Sequence, residues 1–283
     1  MSEVVTFDFH VTSECSQQCA YCWGPQGIAE VDTDTAFAII GKIAAGGSRR
    51  IVFTGGDPLQ RGDIGSLIHH AAQLGLEVAV STTGDLLTAG FLEVFAGDID
   101  LISLPLDGSN EEVSVRTKRP GHLAAAMAAL DILEGYPTID VKVATPVTRH
   151  NIDDVPNIVE MLEARAGRLP GRLFYNVFQA FPRSMRSGVP WPELVVGDAA
   201  FDGLRHRIES EPHSYRINFL DHKTLDKLYV MVFPDGTVTV PAGSEFLNYG
   251  PFLDIEDLDE LLAGSEFDAP KHQRHSIGWS RLP

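Results

Sequence analysis

Residues 4–23, VVTFDFHVTSECSQQCAYCW, join an apolar run directly to Cys15, Cys19 and Cys22. The run Val4–Val11 reads as a strand. The loop after it carries every cysteine of the chain, spaced C-x3-C-x2-C. An odd number of clustered cysteines argues against a disulfide framework and for a metal. In α/β folds, ligands sit at the C-terminal ends of parallel strands, which is where this loop falls.

The same strand-then-helix pattern continues outward from this point. The runs near Ile51–Thr54, Val78–Ser81, Leu101–Leu106, Ile139–Val147 and Leu173–Gln179 read as strands, most of them apolar on both faces. Helical stretches lie between them at Asp34–Ala45, Asp63–Leu74, Thr88–Phe95, Leu123–Leu133 and Asp153–Ala166. Asp34 and Asp63 suit N-caps, and Gly46 and Gly75 suit helix stops. Serial βα units predict an α/β fold with a parallel, curved sheet. From about Arg183 the pattern breaks into a long irregular connection, PRSMRSGVPWPELVVGD. A helix (Ala199–Glu209), a hairpin in VMVFPDGTVTVP and a short acidic helix near Ile255–Ala263 follow. Residues 186–283 therefore read as an extension capping the barrel formed by residues 1–185.

Composition excludes several functions. The 39 acidic against 22 basic residues give a net charge of −17, which disfavours a nucleic-acid surface. No apolar run reaches the roughly 18 residues of a membrane span. The start, MSEVVTFDFH, lacks the basic and apolar regions of a signal peptide, so a cytoplasmic location is expected.

Thiolates are the usual ligands of iron–sulfur clusters, and three of them leave one iron open to an exogenous molecule. Structural zinc takes four protein ligands, so His10 or a distant histidine would have to complete such a site. A ferredoxin would want a fourth cysteine. Zinc and three inert buried thiols stay as the alternatives to a cluster.

The C-x3-C-x2-C loop with Tyr21 before its last cysteine resembles that of the radical S-adenosylmethionine (SAM) superfamily. Further segments match in order. Phe53-Thr54-Gly55-Gly56-Asp57-Pro58-Leu59 is similar to the family's glycine-rich loop, and Ser81-Thr82-Thr83-Gly84 to its turn after strand three. Leu104–Gly108 with Arg116–His122, and Val141–Thr145 with Asn151, resemble later family segments, so the likeness spans about residues 5–185. It implies a partial (β/α)6 TIM-type barrel and a [4Fe–4S] cluster on Cys15, Cys19 and Cys22. It also implies SAM, cleaved to methionine and a 5′-deoxyadenosyl radical. Tyr21, Thr54, Gly55, Gly56, Asp57, Ser81, Thr83 and Gly84 are the implied SAM-binding positions. An external electron donor such as flavodoxin or ferredoxin is the implied partner.

Phe7–Cys15, Val177-Phe178-Gln179, Val195–Phe201, Phe267 and Trp279-Ser280 together resemble the viperin-like branch. Two departures stand out. Asp57 replaces the family's Glu, and Phe174 and Asn176 stand where that branch would have further basic groups. Arg and Lys are the residues that balance phosphate charge, so the substrate is expected not to be a nucleoside triphosphate. With all three thiols serving as ligands, none is left for an auxiliary cluster or as a hydrogen donor.

Asp8, His10, Arg50, Lys142, Asn176, Gln179 and Arg183 lie on or near barrel strands and are the substrate-site candidates. His69-His70 reads as helix surface. The expected function is a radical SAM enzyme acting on a small molecule such as a nucleoside, sugar or amino-acid derivative. A peptide-modifying enzyme and a viperin-like nucleotide dehydratase are the enzymatic alternatives. A SAM- or iron-sensing binding protein is the non-catalytic one.

Overall fold

The computed structural model describes residues 4–277. In chain order it runs β1 (Thr6–Thr12), α1 (Thr33–Ala45), β2 (Arg50–Gly55), α2 (Ile64–Gln73), β3 (Glu77–Ser81), α3 (Ala89–Phe95) and β4 (Leu101–Pro105). Then come α4 (Glu111–Ser114), α5 (His122–Leu133), β5 (Asp140–Val147), α6 (Val155–Ala166), β6 (Leu173–Gln179), α7 (Trp191–Leu194) and α8 (Asp198–Glu209). The remainder is β7 (Arg216–Leu220), α9 (His222–Leu225), β8 (Val230–Val232), β9 (Thr237–Ala242), β10 (Glu245–Pro251), α10 (Leu258–Ala263) and α11 (Ala269–Ile277).

Among the described residues, ten strands join one sheet in the order β10-β9-β8-β1-β2-β3-β4-β5-β6-β7. Every pairing from β8 across to β7 is parallel, and β9 and β10 are antiparallel. The edges β10 and β7 do not pair, so the barrel is partial and open. The expected boundary near residue 185 falls after β6, but strand and helix go on alternating through α8, β7, α9 and β8, and both strands join the same sheet. Beyond it, β7 lengthens one side of the sheet and β8–β10 the other. The segments Arg216–Leu220 and Glu245–Pro251 carry no strong apolar run, and β7 and β10 are strands that the sequence reading lacks.

The two faces of the sheet differ, and β1 shows why. Phe7, Phe9 and Val11 point outward and are fully buried beneath the helices. Burying each such side chain is worth about 1.5–3 kcal/mol. Thr6, Asp8 and His10, on the alternate positions, line the barrel interior. The expectation of strands apolar on both faces is thus corrected for β1: its period of two separates a core face from a polar interior face.

Helix caps depart from the expected ones. Asp32, not Asp34, caps α1, its Oδ1 accepting the Thr35 N–H at 2.8 Å. Asp63 makes no cap bond; its carboxylate instead receives Arg61 Nε at 2.6 Å and the Thr33 hydroxyl at 2.6 Å. The stronger charge-assisted partner takes the carboxylate away from the helix end. His69 is exposed, as expected for helix surface, and contacts Asp98 at 2.8 Å.

Candidate active site

A cavity of about 720 Å³ runs down the barrel from the C-terminal strand ends. Cys15, Cys19 and Cys22 line its mouth together with Thr54, Gly55, Gly56, Ser81 and Thr83. Asp8, Arg50 and Lys142 line it nearer the strand starts, joined by His275 from α11. His10, Asn176, Gln179, Arg183 and Tyr21 also reach its wall.

The cysteine loop is locked against its neighbours by backbone bonds. Gly56 N–H donates to Thr12 O at 2.8 Å, Asp57 N–H to Glu14 O at 2.7 Å, and Ala20 N–H to Thr117 O at 3.1 Å. The double glycine makes the first crossing possible. A Cβ on Gly55 would lie 2.3 Å from Thr12 O, and one on Gly56 2.1 Å from Glu14 O. Gly55 also has φ of 141°, which suits glycine alone.

All three cysteines are free thiols. Burial pushes the Cys15 thiol up to about 11 and raises that of Cys22. Such thiols become thiolates by binding a metal, which deprotonates them outright. Among the described residues, no group of three His, Cys, Asp or Glu side chains gathers to hold a single metal ion. Three thiols in one loop leave a structural zinc site one ligand short, whereas thiolates are the usual donors of a cluster. The donor set and its placement fit a cluster.

Several candidates are already committed to structure. Asp57 is fully buried and absent from the cavity wall; its carboxylate accepts the Thr82 and Thr83 hydroxyls at 2.8 and 2.5 Å and the Leu59 N–H at 3.1 Å. Gly84 does not line the cavity either; with φ of 89° it serves the turn after β3. A Cβ there would lie 3.2 Å from Leu104 and 3.4 Å from Ala129, so this side of the turn is closely packed. Gln179 is saturated: its amide donates to Val196 O and Asp198 Oδ1, both at 3.0 Å, while Oε1 accepts from His222. Arg183 stacks between Trp23 and Phe181 and binds Gly243 O at 2.9 Å. Asn176 accepts the Asn218 amide at 2.9 Å. Arg50 pairs with buried Glu77 at 2.8 Å, so its charge is neutralised within the wall.

The remaining polar groups are electrostatically unusual. Burial pushes the Asp8 carboxyl up to about 6, opposed by Lys142 and Arg50. Burial likewise pushes Lys142 down to about 8, opposed by Asp8. His10 is driven down to about 3 by burial, and its ring meets Phe233 edge-on at 5.3 Å. His275 falls to about 4, through burial and then Lys142. Both imidazoles are neutral at pH 7. Phe174 packs with Ala79, Leu101 and Val52, filling with an aromatic ring the place of an expected basic group.

Residues missed in the sequence cluster at the mouth. The Tyr21 hydroxyl donates to buried Asp107 at 2.5 Å, and Lys118 Nζ lies 3.0 Å from Cys19 Sγ. Arg186 donates to Cys19 O at 2.9 Å, and the Ser184 hydroxyl to Cys22 O at 2.5 Å. Lys118 lies within the Arg116–His122 segment, but nothing in the one-dimensional pattern shows that it folds back onto a cysteine 99 positions earlier.

An open parallel barrel with a three-thiol loop at its C-terminal mouth defines a class of cofactor-dependent α/β enzymes. The family model for the radical SAM superfamily matches residues 9–162, and the chain belongs to that superfamily. The superfamily uses a [4Fe–4S] cluster and SAM. An S-adenosylmethionine-dependent nucleotide dehydratase from Lacinutrix mariniflava is 26% identical, covering 96% of this chain and 57% of the relative. An AdoMet-dependent heme synthase from Methanosarcina barkeri is 26% identical over 62% of this chain and 50% of its own. A GTP 3′,8-cyclase from Chlorobaculum tepidum is 32% identical over 53% of this chain and 48% of its own. The chain spans about half to three fifths of the length of such curated relatives. The fold is shared with Streptococcus suis SuiB bound to S-adenosylmethionine, at a TM-score of 0.69 and 11% identity, over 96% of this chain and 68% of that one. Trp279-Ser280, part of the viperin-like resemblance, lie outside the described residues. Among the described residues, no helix is long and apolar enough to cross a membrane.

Proposed function

We propose that this chain cleaves SAM reductively and directs hydrogen abstraction at a small polar substrate of low net charge held inside the barrel. The observation that carries the reading is the inner wall of the cavity. Asp8 faces Lys142, and Arg50 is matched by Glu77, so the charges at this inner end are balanced in pairs. A nucleoside triphosphate would need a surplus of Arg and Lys there. Phe174 and Asn176 supply none.

Cys15, Cys19 and Cys22 hold the cluster in this reading, and Thr54, Gly55, Gly56, Ser81 and Thr83 border the SAM site. When bound, the cluster and SAM supply a 5′-deoxyadenosyl radical able to remove a hydrogen atom from a C–H bond. The chain's own contribution is position and exclusion of water. Lys142 and Asp8 orient the substrate by opposite charges from the barrel floor. An external one-electron donor such as flavodoxin or ferredoxin completes the system.

A nucleotide dehydratase is the second reading, favoured by the relative of that name aligned over 96% of this chain. Anaerobically reconstituted protein with dithionite and SAM should form 5′-deoxyadenosine, and cytidine triphosphate should not change the rate. Clear stimulation by cytidine triphosphate would select the second reading. Zinc in place of about four irons per chain, which a [4Fe–4S] cluster requires, would sink both.

A further inference from the structure

Lys118 belongs to the loop between α4 and α5, yet its side chain is only 5% exposed and ends at the cysteine loop. Its Nζ lies 3.0 Å from Cys19 Sγ, 4.0 Å from Asp107 Oδ1 and 5.5 Å from the centre of the Tyr21 ring. The backbone holds it there from both sides. Ala20 N–H donates to Thr117 O at 3.1 Å, and Arg119 N–H to Gln17 Oε1 at 3.1 Å.

Asp107 completes the arrangement. It is fully buried, and its Oδ2 accepts the hydroxyls of Tyr21 and Thr117 at 2.5 and 2.6 Å. Its Oδ1 has no hydrogen-bond partner among the described residues and has the Lys118 ammonium as its counter-charge. The Lys118 side-chain nitrogen thus lies between the Cys19 sulfur at 3.0 Å and the Asp107 carboxylate at 4.0 Å. The other two sulfurs receive weaker, uncharged donors. Cys15 faces the Gln17 N–H at 3.4 Å, and Cys22 the Gln26 amide at 3.7 Å.

We propose that Lys118 is a positioning residue that raises the reduction potential of the cluster by a charged N–H···S bond to Cys19, with Asp107 as the counter-charge that limits the effect. This rests on the assignment of the cluster to Cys15, Cys19 and Cys22. One-electron reduction adds one negative charge to the cluster and moves no proton. A fixed cation in contact with a ligating sulfur stabilises the reduced state more than the oxidised one. Local charge and hydrogen bonds to the sulfurs are established determinants of cluster potential. Burial strengthens both, because the surroundings screen poorly. Lys118 and Asp107 should therefore act with opposite signs.

The experiment compares anaerobically reconstituted wild type, Lys118→Met, Lys118→Arg and Asp107→Asn. Iron is counted, and the cluster is titrated electrochemically with detection by electron paramagnetic resonance. At a fixed poise, Lys118→Met should cut the reduced-to-oxidised ratio about tenfold, a downward shift of about 59 mV for one electron. Asp107→Asn should move it upward, and Lys118→Arg should stay near wild type. Potentials for Lys118→Met and Asp107→Asn that match wild type, or that shift in the same direction, overturn the proposal. Where Lys118→Met retains no iron, Asp107→Asn decides alone: no upward shift refutes it. Wild-type protein without a four-iron cluster would instead refute the underlying assignment.

Discussion

The Asp57 carboxylate accepts the Thr83 hydroxyl at 2.5 Å and so fastens the loop after β2 to the loop after β3. Both loops border the cavity mouth, one through Gly55 and Gly56 and the other through Thr82 and Thr83. Asp57 itself is hidden behind them. Its role is to hold two wall segments in register, and its shortness relative to Glu suits the small gap to two threonine hydroxyls.

Asp57→Ala should therefore destabilise the fold, because Thr82, Thr83 and the Leu59 N–H lose their shared acceptor. Each buried group left unsatisfied costs about 1–3 kcal/mol. Urea unfolding should show a lower midpoint at unchanged slope. A variant of wild-type stability with weakened SAM affinity alone would show instead that Asp57 acts as a ligand.

Gly56→Ala tests the crossing of the glycine loop with the cysteine loop. The added methyl would meet Glu14 O at 2.1 Å, and that oxygen belongs to a backbone already bonded to Asp57 N–H. The cysteine loop must then move. We expect reduced iron retention after reconstitution along with lower stability. Full iron content and wild-type melting would show that the two loops can separate without cost.

Much of this was legible in the chain. In β1 the sequence places Asp8 and His10 toward the barrel, but reading Val4–Val11 as one apolar run misses the alternation with Phe7, Phe9 and Val11 that separates core from cavity wall. The cysteine spacing located the mouth. What stayed hidden depends on long-range pairing. Arg50 looks like a free cation until Glu77 is placed beside it on β3, 27 residues later. Gln179 looks like a substrate ligand until α8 brings Asp198 to it. Lys118 reads as one basic residue in the run TKR until the loop turns it onto Cys19.

The thiols contribute little to the fold. Cys15, Cys19 and Cys22 are only partly buried, and the main apolar core is built from the outer strand faces and the helices. Replacing any one with Ala should leave circular dichroism and melting of the metal-free protein near wild type. Zinc-finger-like domains behave differently, because there the metal supplies the folding energy. Iron content and 5′-deoxyadenosine formation should both be lost. A Cys22→Ala protein cleaving SAM at the wild-type rate would defeat the cluster assignment.

The charged floor predicts a pH window. Asp8 titrates near 6 and Lys142 near 8, both displaced first by burial. His10 and His275, pushed to about 3 and 4, are neutral throughout that interval, and Arg50 is held by Glu77. The pair is therefore ionised, as Asp8 carboxylate facing Lys142 ammonium, only between about 6 and 8. Substrate-dependent turnover should follow a bell over that range. Asp8→Asn should remove the acid limb and Lys142→Met the alkaline one, each with raised KM. Stability should move the other way. The folded-state pKa of Asp8 lies above its ordinary value of 3.8, so the stability associated with its neutral form is complete below that value and is lost as pH rises through about 6. At pH 7 the buried carboxylate costs on the order of 3 kcal/mol, of which Asp8→Asn should relieve only part, because Lys142 then loses its counter-charge. A urea titration at pH 7 should thus find Asp8→Asn more stable than wild type while binding substrate less well. Equal or lower stability, with an unaltered acid limb, would place the charge that orients substrate somewhere other than Asp8.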